Sequence, residues 1–324
     1  MALTVSTAME TWPIAGSFTI SRGSRTEIVV VVAEISDGTH TGRGECAPYP
    51  RYDETPEGVV AAISAADLGE TPDRQALWQA MPAGAARNAL DCALWDLQAR
   101  RSGISVAERC GHAALKPVQT AYTLSLGTPQ AMGEAAQQAA HYPLLKLKLG
   151  GDGDAARIAA VRAATDARLI VDANEAWSDG NFIENMTACA EAGVALVEQP
   201  LPAGEDGLLT QITHAVPVCA DESAHVAADL ERLVGKYDAV NIKLDKAGGL
   251  TESLDMMREA RARGFIVMVG CMVGTSLAMA PGIVLAQDAD IVDLDGPLLL
   301  ACDREPGLTY SGGLVEPPSA SLWG

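Results

Sequence analysis

Residues 141–150 read HYPLLKLKLG, and the two lysines inside that leucine run decide how the chain folds. In a strand, side chains alternate, so Lys146 and Lys148 share one face while Leu145, Leu147 and Leu149 share the other. Like charges side by side on a strand are destabilising. Either that face is wetted or the charge is put to use.

Seven other short apolar runs have the same form: AYTLSL, RLIVDAN, ALVEQP, VPVCADES, AVNIKLDK, FIVMVGCM and DIVDLD. Each ends in a polar or charged residue, and an Ala-rich helical segment is expected after each. With Thr123, Lys148, Asp172, Glu198, Asp221, Lys243, Cys271 and Asp293 as markers, the spacing is 22 to 28 residues. That leaves room for one helix and two short loops between strands, which predicts a (β/α) barrel of parallel strands. An open doubly wound sheet would need a switch-point motif that this chain lacks. Upstream, EIVVVVAEIS, a DG turn and THTGRGECAP predict an antiparallel hairpin. AARNALDCALWDLQARR then repeats Leu90, Ala93, Leu94 and Leu97 at helical spacing, with Gly103 as the stop. These segments form an α+β unit ending near residue 115.

Composition excludes several functions. The 324 residues carry 23 basic and 42 acidic side chains, a net charge of −19, which repels nucleic acid and anionic lipid alike. MALTVSTAMETWP lacks the basic start and apolar stretch of a secretory leader, and IVVVVA is too short to span a bilayer. The seven cysteines form no C-x-x-C pair and read as core residues of a reducing, cytoplasmic compartment. The five histidines form no zinc-binding spacing. No phosphate-loop or dinucleotide fingerprint is present.

Chemistry in such a barrel sits at the C-terminal ends of the strands. Those positions hold Lys146 and Lys148, then Asp172, Glu198 and Asp221 on three successive strands, then Lys243, then Asp293 and Asp295. Each acid alone could cap a helix. Three converging carboxylates repel one another, and Mg2+, which takes hard oxygen ligands, resolves the conflict. Lys148 and Lys243, on the second and sixth strands, are expected to face each other across that ion. Lys146 beside Lys148, together with the ion, is expected to lower the lysine pKa towards a useful base. Lys246, in the loop beyond Lys243, is a supporting residue. Two opposed bases flanking a metal-bound carboxylate suit the transfer of a proton from one face of a carbon to the other, through an enediolate stabilised by Mg2+.

With KLK at 146–148, VDAN around Asp172 and Asn174, VEQP at Glu198, ADES at Asp221 and NIKLDKAGG at Lys243, the chain resembles the enolase superfamily. The likeness is to its muconate-lactonising subgroup, and within that to the dipeptide epimerases. GCMVGTS at 270–276, DLDGP at 293–297, RGSR and GECAPYPRY extend the resemblance end to end. It implies an α/β fold: a modified (β/α)7β TIM-type barrel over residues 116–300, an N-terminal α+β capping domain over 1–115, and a tail, 301–324, returning to the cap. It further implies that Asp293 and Asp295 bind a substrate ammonium and that Arg25, ahead of Arg22, meets a glutamate side-chain carboxylate. PYPRYDET would be a lid bringing Tyr52 near the site, Val273 and Gly274 would line the pocket, and Thr123 would hydrogen-bond substrate. The implied activity is Mg2+-dependent epimerisation of dipeptides such as L-Ala-L/D-Glu from cell-wall peptide turnover. Another subgroup activity (cycloisomerase, o-succinylbenzoate synthase or N-acylamino acid racemase) or a non-catalytic small-molecule binding barrel stands as the alternative. Oligomeric state stays open.

Overall fold

The computed structural model describes residues 3–69 and 73–324. Eight parallel strands follow one another around a single sheet: β5 (Tyr122–Leu124), β6 (Leu144–Lys148), β7 (Arg168–Asp172), β8 (Val197–Glu198), β9 (Val218–Ala220), β10 (Ala239–Lys243), β11 (Ile266–Gly270) and β12 (Ile291–Asp293). The ring closes where the Ala121 amide donates to the Val292 carbonyl, 2.8 Å. These are the eight runs read from the sequence.

Strand alternation builds the barrel interior in two layers. The lower layer is an apolar plug of Ala121, Leu144, Ile170, Leu196, Cys219, Ala239, Met268 and Ile291, one residue from or beside each strand. Two residues further along each strand lie Thr123, Lys146, Asp172, Glu198, Asp221, Asn241, Gly270 and Asp293. The two-residue period of a strand therefore lifts one polar ring directly above the plug. The odd-numbered leucines 145, 147 and 149 point outwards into the main core, against helix residues such as Met132, Ile158 and Val161.

The helical layer is less regular than the spacing predicts. Helices α5 (Pro129–Gln138), α6 (Asp154–Ala164), α7 (Phe182–Glu191), α10 (Leu250–Ala262) and α11 (Ser276–Ala286) follow their strands. After β8 there is only a 3-10 turn, Gly207–Thr210, and after β9 a 3-10 turn and the single helical turn α8 (Leu230–Leu233). The first gap holds Pro200, Pro202, Gly204, Gly207 and Pro217, which remove backbone donors and disfavour a continuous helix.

The N-terminal residues form a three-stranded antiparallel sheet: β1 (Thr4–Ile20), β2 (Gly23–Ser36) and β3 (Thr41–Cys46). The β2–β3 hairpin pairs Val31 with Cys46 and Ser36 with Thr41, as expected. Helices α1 (Pro56–Ser64), α2 (Arg74–Ala80), α3 (Ala85–Ser102) and α4 (Val106–Arg109) follow; the short strand β4 (Val118–Gln119) and the one-turn helix α9 (Leu244–Ala247) lie in the barrel region. The Gly103 stop is in place, with φ 70° at the α3 C-cap. Helix α3 is buried on two sides. Ala89, Ala93 and Leu97 pack against Val31, Ala33 and Ile35 of β2, while Cys92, Trp95 and Ala99 belong to the barrel's core. A β-carbon on Gly44 would come within 2.1 Å of the Ala89 carbonyl, so glycine is what lets β3 lie against this helix.

The seam between the N-terminal unit and the barrel is polar and specific. Asp245 Oδ1 accepts from the Ala47 amide and from Asn88 Nδ2, both at 3.0 Å. Arg87 donates to the Gly248 and Ala247 carbonyls. Trp323 Nε1 donates to the Cys92 carbonyl at 3.1 Å, and Arg43 to those of Ser321 and Leu322, tying the C-terminal residues to α3 and β3.

Burial pushes the Asp245 carboxyl up to about 7, against the lowering effect of Ala47 and Asn88. The folded chain therefore holds this proton at pH values where the unfolded chain has lost it, and the linked stability is lost as pH rises through about 7. Thermal midpoints taken from about pH 6 to about pH 8 should fall more steeply for the wild type than for Asp245→Asn, whose Oδ1 still accepts both bonds. Equal slopes would contradict this origin.

Candidate active site

Asp172, Glu198 and Asp221 leave the ends of β7, β8 and β9, and one oxygen from each lies within 4.8 Å of the others. All three are almost wholly buried. Strands β6 and β10 are four apart in an eight-stranded ring, so Lys148 and Lys243 rise from opposite walls. Lys148 Nζ donates to Asp172 Oδ2, and Lys243 Nζ to Asp221 Oδ2 at 2.7 Å. Lys246 Nζ grips Asp221 from behind, at 2.6 Å from Oδ1, and also meets the Asn241 carbonyl at 3.1 Å. Asn174 donates its amide to Asp172 Oδ1 at 2.9 Å, and its own Oδ1 is buried without a partner.

The acids divide unevenly. Burial raises Asp172, yet Lys148 and Lys146 outweigh it and hold the carboxyl at about 2. Burial also raises Asp221, and Lys243 with Lys246 brings it well below the usual range. Glu198 is pushed up to about 7, by burial and then by Asp172. Its Oε1 accepts from Asn241 Nδ2 at 2.7 Å. Lys146 Nζ lies 2.7 Å from Oε2, but off the hydrogen-bonding direction, so that oxygen is left without a hydrogen bond. Three hard oxygen donors, one of them orphaned, fit a divalent cation such as Mg2+.

Lys146 differs from expectation. Its Nζ also meets Asp293 Oδ2 at 2.7 Å and Asp172 Oδ2 at 3.4 Å. Burial lowers its pKa, but Asp293, Glu198 and Asp172 raise it well above the ordinary value. Lys243 is raised in the same way, burial being overcome by Asp221 and Glu198. The expected lowering invokes the ion together with the adjacent cation, and an ion held by Asp172, Glu198 and Asp221 would offset the carboxylate charge that raises Lys146 and Lys243. In the folded cluster, carboxylates lie nearer to each ammonium than the other ammonium does.

Asp293 and Asp295 line the same cavity as Lys148, Lys243 and Asp221. Asp295 accepts the Thr123 amide at 2.6 Å and is pushed up to about 7, by burial and then by Asp293. Asp293 Oδ1 is buried and unpartnered. Thr123 lines the cavity with its backbone amide already engaged.

The N-terminal unit closes the top. Arg22, the second candidate for carboxylate recognition, is fully engaged: it donates to Glu222 Oε1 at 2.8 Å, Glu175 Oε2 at 3.2 Å, the Asn174 carbonyl at 3.0 Å and the Tyr49 hydroxyl at 3.0 Å. Arg25 lines the cavity beside the Tyr49 ring, 5.6 Å from its centroid, with no ion pair among the described residues. Arg51 forks onto Glu175, with both bonds at 2.9 Å. It thereby holds the 3-10 turn Pro50–Tyr52 over the barrel. Tyr52 reaches the cavity and packs edge-on against His225, centroids 4.6 Å apart. Val273 lines the cavity as expected; Gly274 does not, and packs against Ala278 and Glu45 instead.

Glu175, Glu222, Asn241 and Gln199 were not singled out from the sequence. Asn241 had a usable signal, since it lies two residues before Lys243 and so faces the same interior. Glu222 is placed by its ion pair with Arg22, and Glu175 and Gln199 by loop conformation. Asn174 and Glu175 have φ of 45° and 66°, left-handed values that no periodicity announces.

Because Arg51 and Glu175 form a bidentate but partly exposed pair, Arg51→Ala should speed amide exchange of residues 49–54 by roughly two- to fivefold. Exchange in β7 and β8 should not change. Unaltered exchange in the turn would show that the pair does not hold it.

Known proteins are similar to this chain in sequence and fold. The profile described as enolase C-terminal domain-like matches residues 130–320. The profile of the mandelate racemase / muconate lactonizing enzyme N-terminal domain matches residues 2–111. The L-Ala-D/L-Glu epimerase of Escherichia coli is 46% identical over 96% of this chain and 98% of its own. The N-acetyl-D-glutamate racemase of a Pseudoalteromonas species is also 46% identical, over 91% and 95%. A crystal structure of an enolase family member from Agrobacterium tumefaciens, with homology to dipeptide epimerases and with bound sodium and L-Ala-L-Glu, superposes with a TM-score of 0.97 at 52% identity, covering 99% of this chain and 100% of the other. A dipeptide epimerase from Methylococcus capsulatus, complexed with Mg and L-Arg-D-Lys, reaches a TM-score of 0.89 at 28% identity, covering 98% of each. Ring order, polar layer and these matches together identify the chain as a member of the mandelate racemase / muconate lactonizing enzyme family of the enolase superfamily.

Proposed function

We propose that the protein is a Mg2+-dependent dipeptide epimerase that inverts the α-carbon of the C-terminal residue, with L-Ala-L/D-Glu as substrate. The observation that carries the reading is the placement of Lys148 and Lys243 on opposite walls above one acid triad, with two further acids facing the same cavity. Asp172, Glu198 and Asp221 would hold the ion, which when bound neutralises charge building on the substrate carboxylate as the α-proton leaves.

The chain's own residues do the rest. The lysine facing the α-proton takes it at Nζ as a free amine, and the opposite lysine, as an ammonium, returns a proton from the other side. Exchanging these roles runs the reaction in reverse. Asp293 and Asp295 receive the substrate ammonium through charge-assisted hydrogen bonds, and Lys146 holds Asp293 in place. Arg25, beside Tyr49 and without an ion pair among the described residues, is the side chain that would meet a glutamate carboxylate. Arg22 and Arg51 keep the lid seated, so that Tyr52 excludes water. Residues 1–115 would act as the specificity-bearing cap, 116–300 as the barrel and 301–324 as the strap between them. Unpaired cysteines support a reducing, cytoplasmic setting, and among the described residues no helix is long and apolar enough to cross a membrane.

In D2O, wild type given L-Ala-L-Glu should incorporate deuterium at the glutamate α-carbon. Lys148→Ala and Lys243→Ala should each lower epimerisation by roughly 10²- to 10⁴-fold. Undiminished turnover in both would end the two-base scheme. The Pseudoalteromonas relative favours a second reading, racemisation of an N-acylated glutamate, which has no ammonium to bind. Asp295→Asn separates the two: kcat/KM for L-Ala-L-Glu should fall by about tenfold or more while that for N-acetylglutamate does not. A loss shared equally by both substrates would remove the ammonium assignment.

A further inference from the structure

Gln199 follows Glu198 directly, is wholly buried, and has φ of 32°, a left-handed value unusual for a side chain with a β-carbon. Its backbone carbonyl accepts the Glu175 amide at 2.9 Å, from the loop that follows Asp172. Its backbone amide donates to the Cys219 carbonyl at 2.8 Å, two residues before Asp221. Its side-chain Oε1 accepts the Asp221 amide at 2.8 Å and the Ser223 amide at 3.0 Å, which occupies both lone pairs. Nε2 is held by the Leu201 carbonyl at 2.8 Å, Ser223 Oγ at 3.0 Å and the Tyr237 hydroxyl at 3.0 Å. One residue, covalently joined to one acid, thus hydrogen-bonds the backbone of the loops that carry the other two.

We propose that Gln199 is a positioning residue that sets the separation of Asp172, Glu198 and Asp221 and so makes the site prefer Mg2+ to the larger Ca2+. This rests on the reading of those three acids as metal ligands. Mg2+ demands near-ideal geometry with oxygens at about 2.0–2.1 Å, whereas Ca2+ accepts about 2.3–2.6 Å and irregular coordination. Loosening the frame that spaces the carboxylates therefore penalises Mg2+ more than Ca2+. Removing such outer partners of ligands typically weakens metal binding by about 10- to 100-fold.

Calorimetric titration of the metal-stripped, full-length protein with Mg2+ and with Ca2+ tests this. Gln199→Leu should weaken Mg2+ by roughly tenfold or more and Ca2+ by less, so that the ratio of the Ca2+ to the Mg2+ Kd falls. Gln199→Asn, which keeps the amide but is one methylene short, should do the same and decides the matter if the leucine variant does not fold. Tyr237→Phe trims only the far end of the network; it should lower the thermal midpoint yet leave that ratio within about twofold. A ratio unchanged in a Gln199 variant with a native circular dichroism spectrum overturns the inference alone. Wild-type protein that binds neither ion overturns the metal reading and the inference with it.

Discussion

Mutual repulsion among three buried carboxylates is the constraint around which the rest of the molecule is arranged. Asp172, Glu198 and Asp221 could not be gathered within 4.8 Å in a dry interior without compensation. Four lysines supply part of it, each seated on a carboxylate, and Glu198 still stands at about 7. A divalent cation answers the remaining deficit. The apolar plug closes the barrel beneath the acids, and the Pro50–Tyr52 turn, tied down by Arg51 and Glu175, lies above the strand ends.

Structure and chemistry are linked through strand alternation. The same two-residue step that places Leu144 in the plug places Lys146 and then Lys148 in successive polar layers, and β10 repeats it with Ala239, Asn241 and Lys243. Gly270 fits this scheme by omission. A β-carbon there would lie 2.6 Å from Asn241 Oδ1, so the missing side chain is what allows Asn241 to turn towards Glu198. The N-terminal sheet then supplies what a barrel cannot, side chains reaching down on to the strand ends from outside.

Much of this was legible in the sequence, because strand spacing and the acid or lysine at each strand end are local signals. The eight strands, the β2–β3 hairpin and α3 follow from periodicity and turn residues alone. The run IVVVV shows no alternation because β2 is buried on both faces, with Val31 and Ala33 against α3 and Val30 against Ile14 and Leu300. Strand β1 escaped notice because most of its residues are exposed or half-exposed, and its pairing partner, not its own pattern, makes it a strand. The missing helix after β8, the shortening of the one after β9 to a single turn, the diversion of Arg22 to Glu222 and Glu175, and the clamp at Gln199 are tertiary facts. Each depends on residues far apart in the chain. The carboxylates that raise Lys146 and Lys243 come from other strands of the barrel, so no reading of sequence neighbours counts them.

The claim on which everything else rests is that a divalent ion sits among the three acids, between the two opposed lysines. Anomalous diffraction at the manganese edge, from crystals grown with Mn2+ in place of Mg2+, tests it most directly. One strong peak is expected, bonded to Asp172, Glu198 and Asp221 with Lys148 and Lys243 on opposite sides of it. A peak elsewhere, or none at saturating Mn2+, would contradict it.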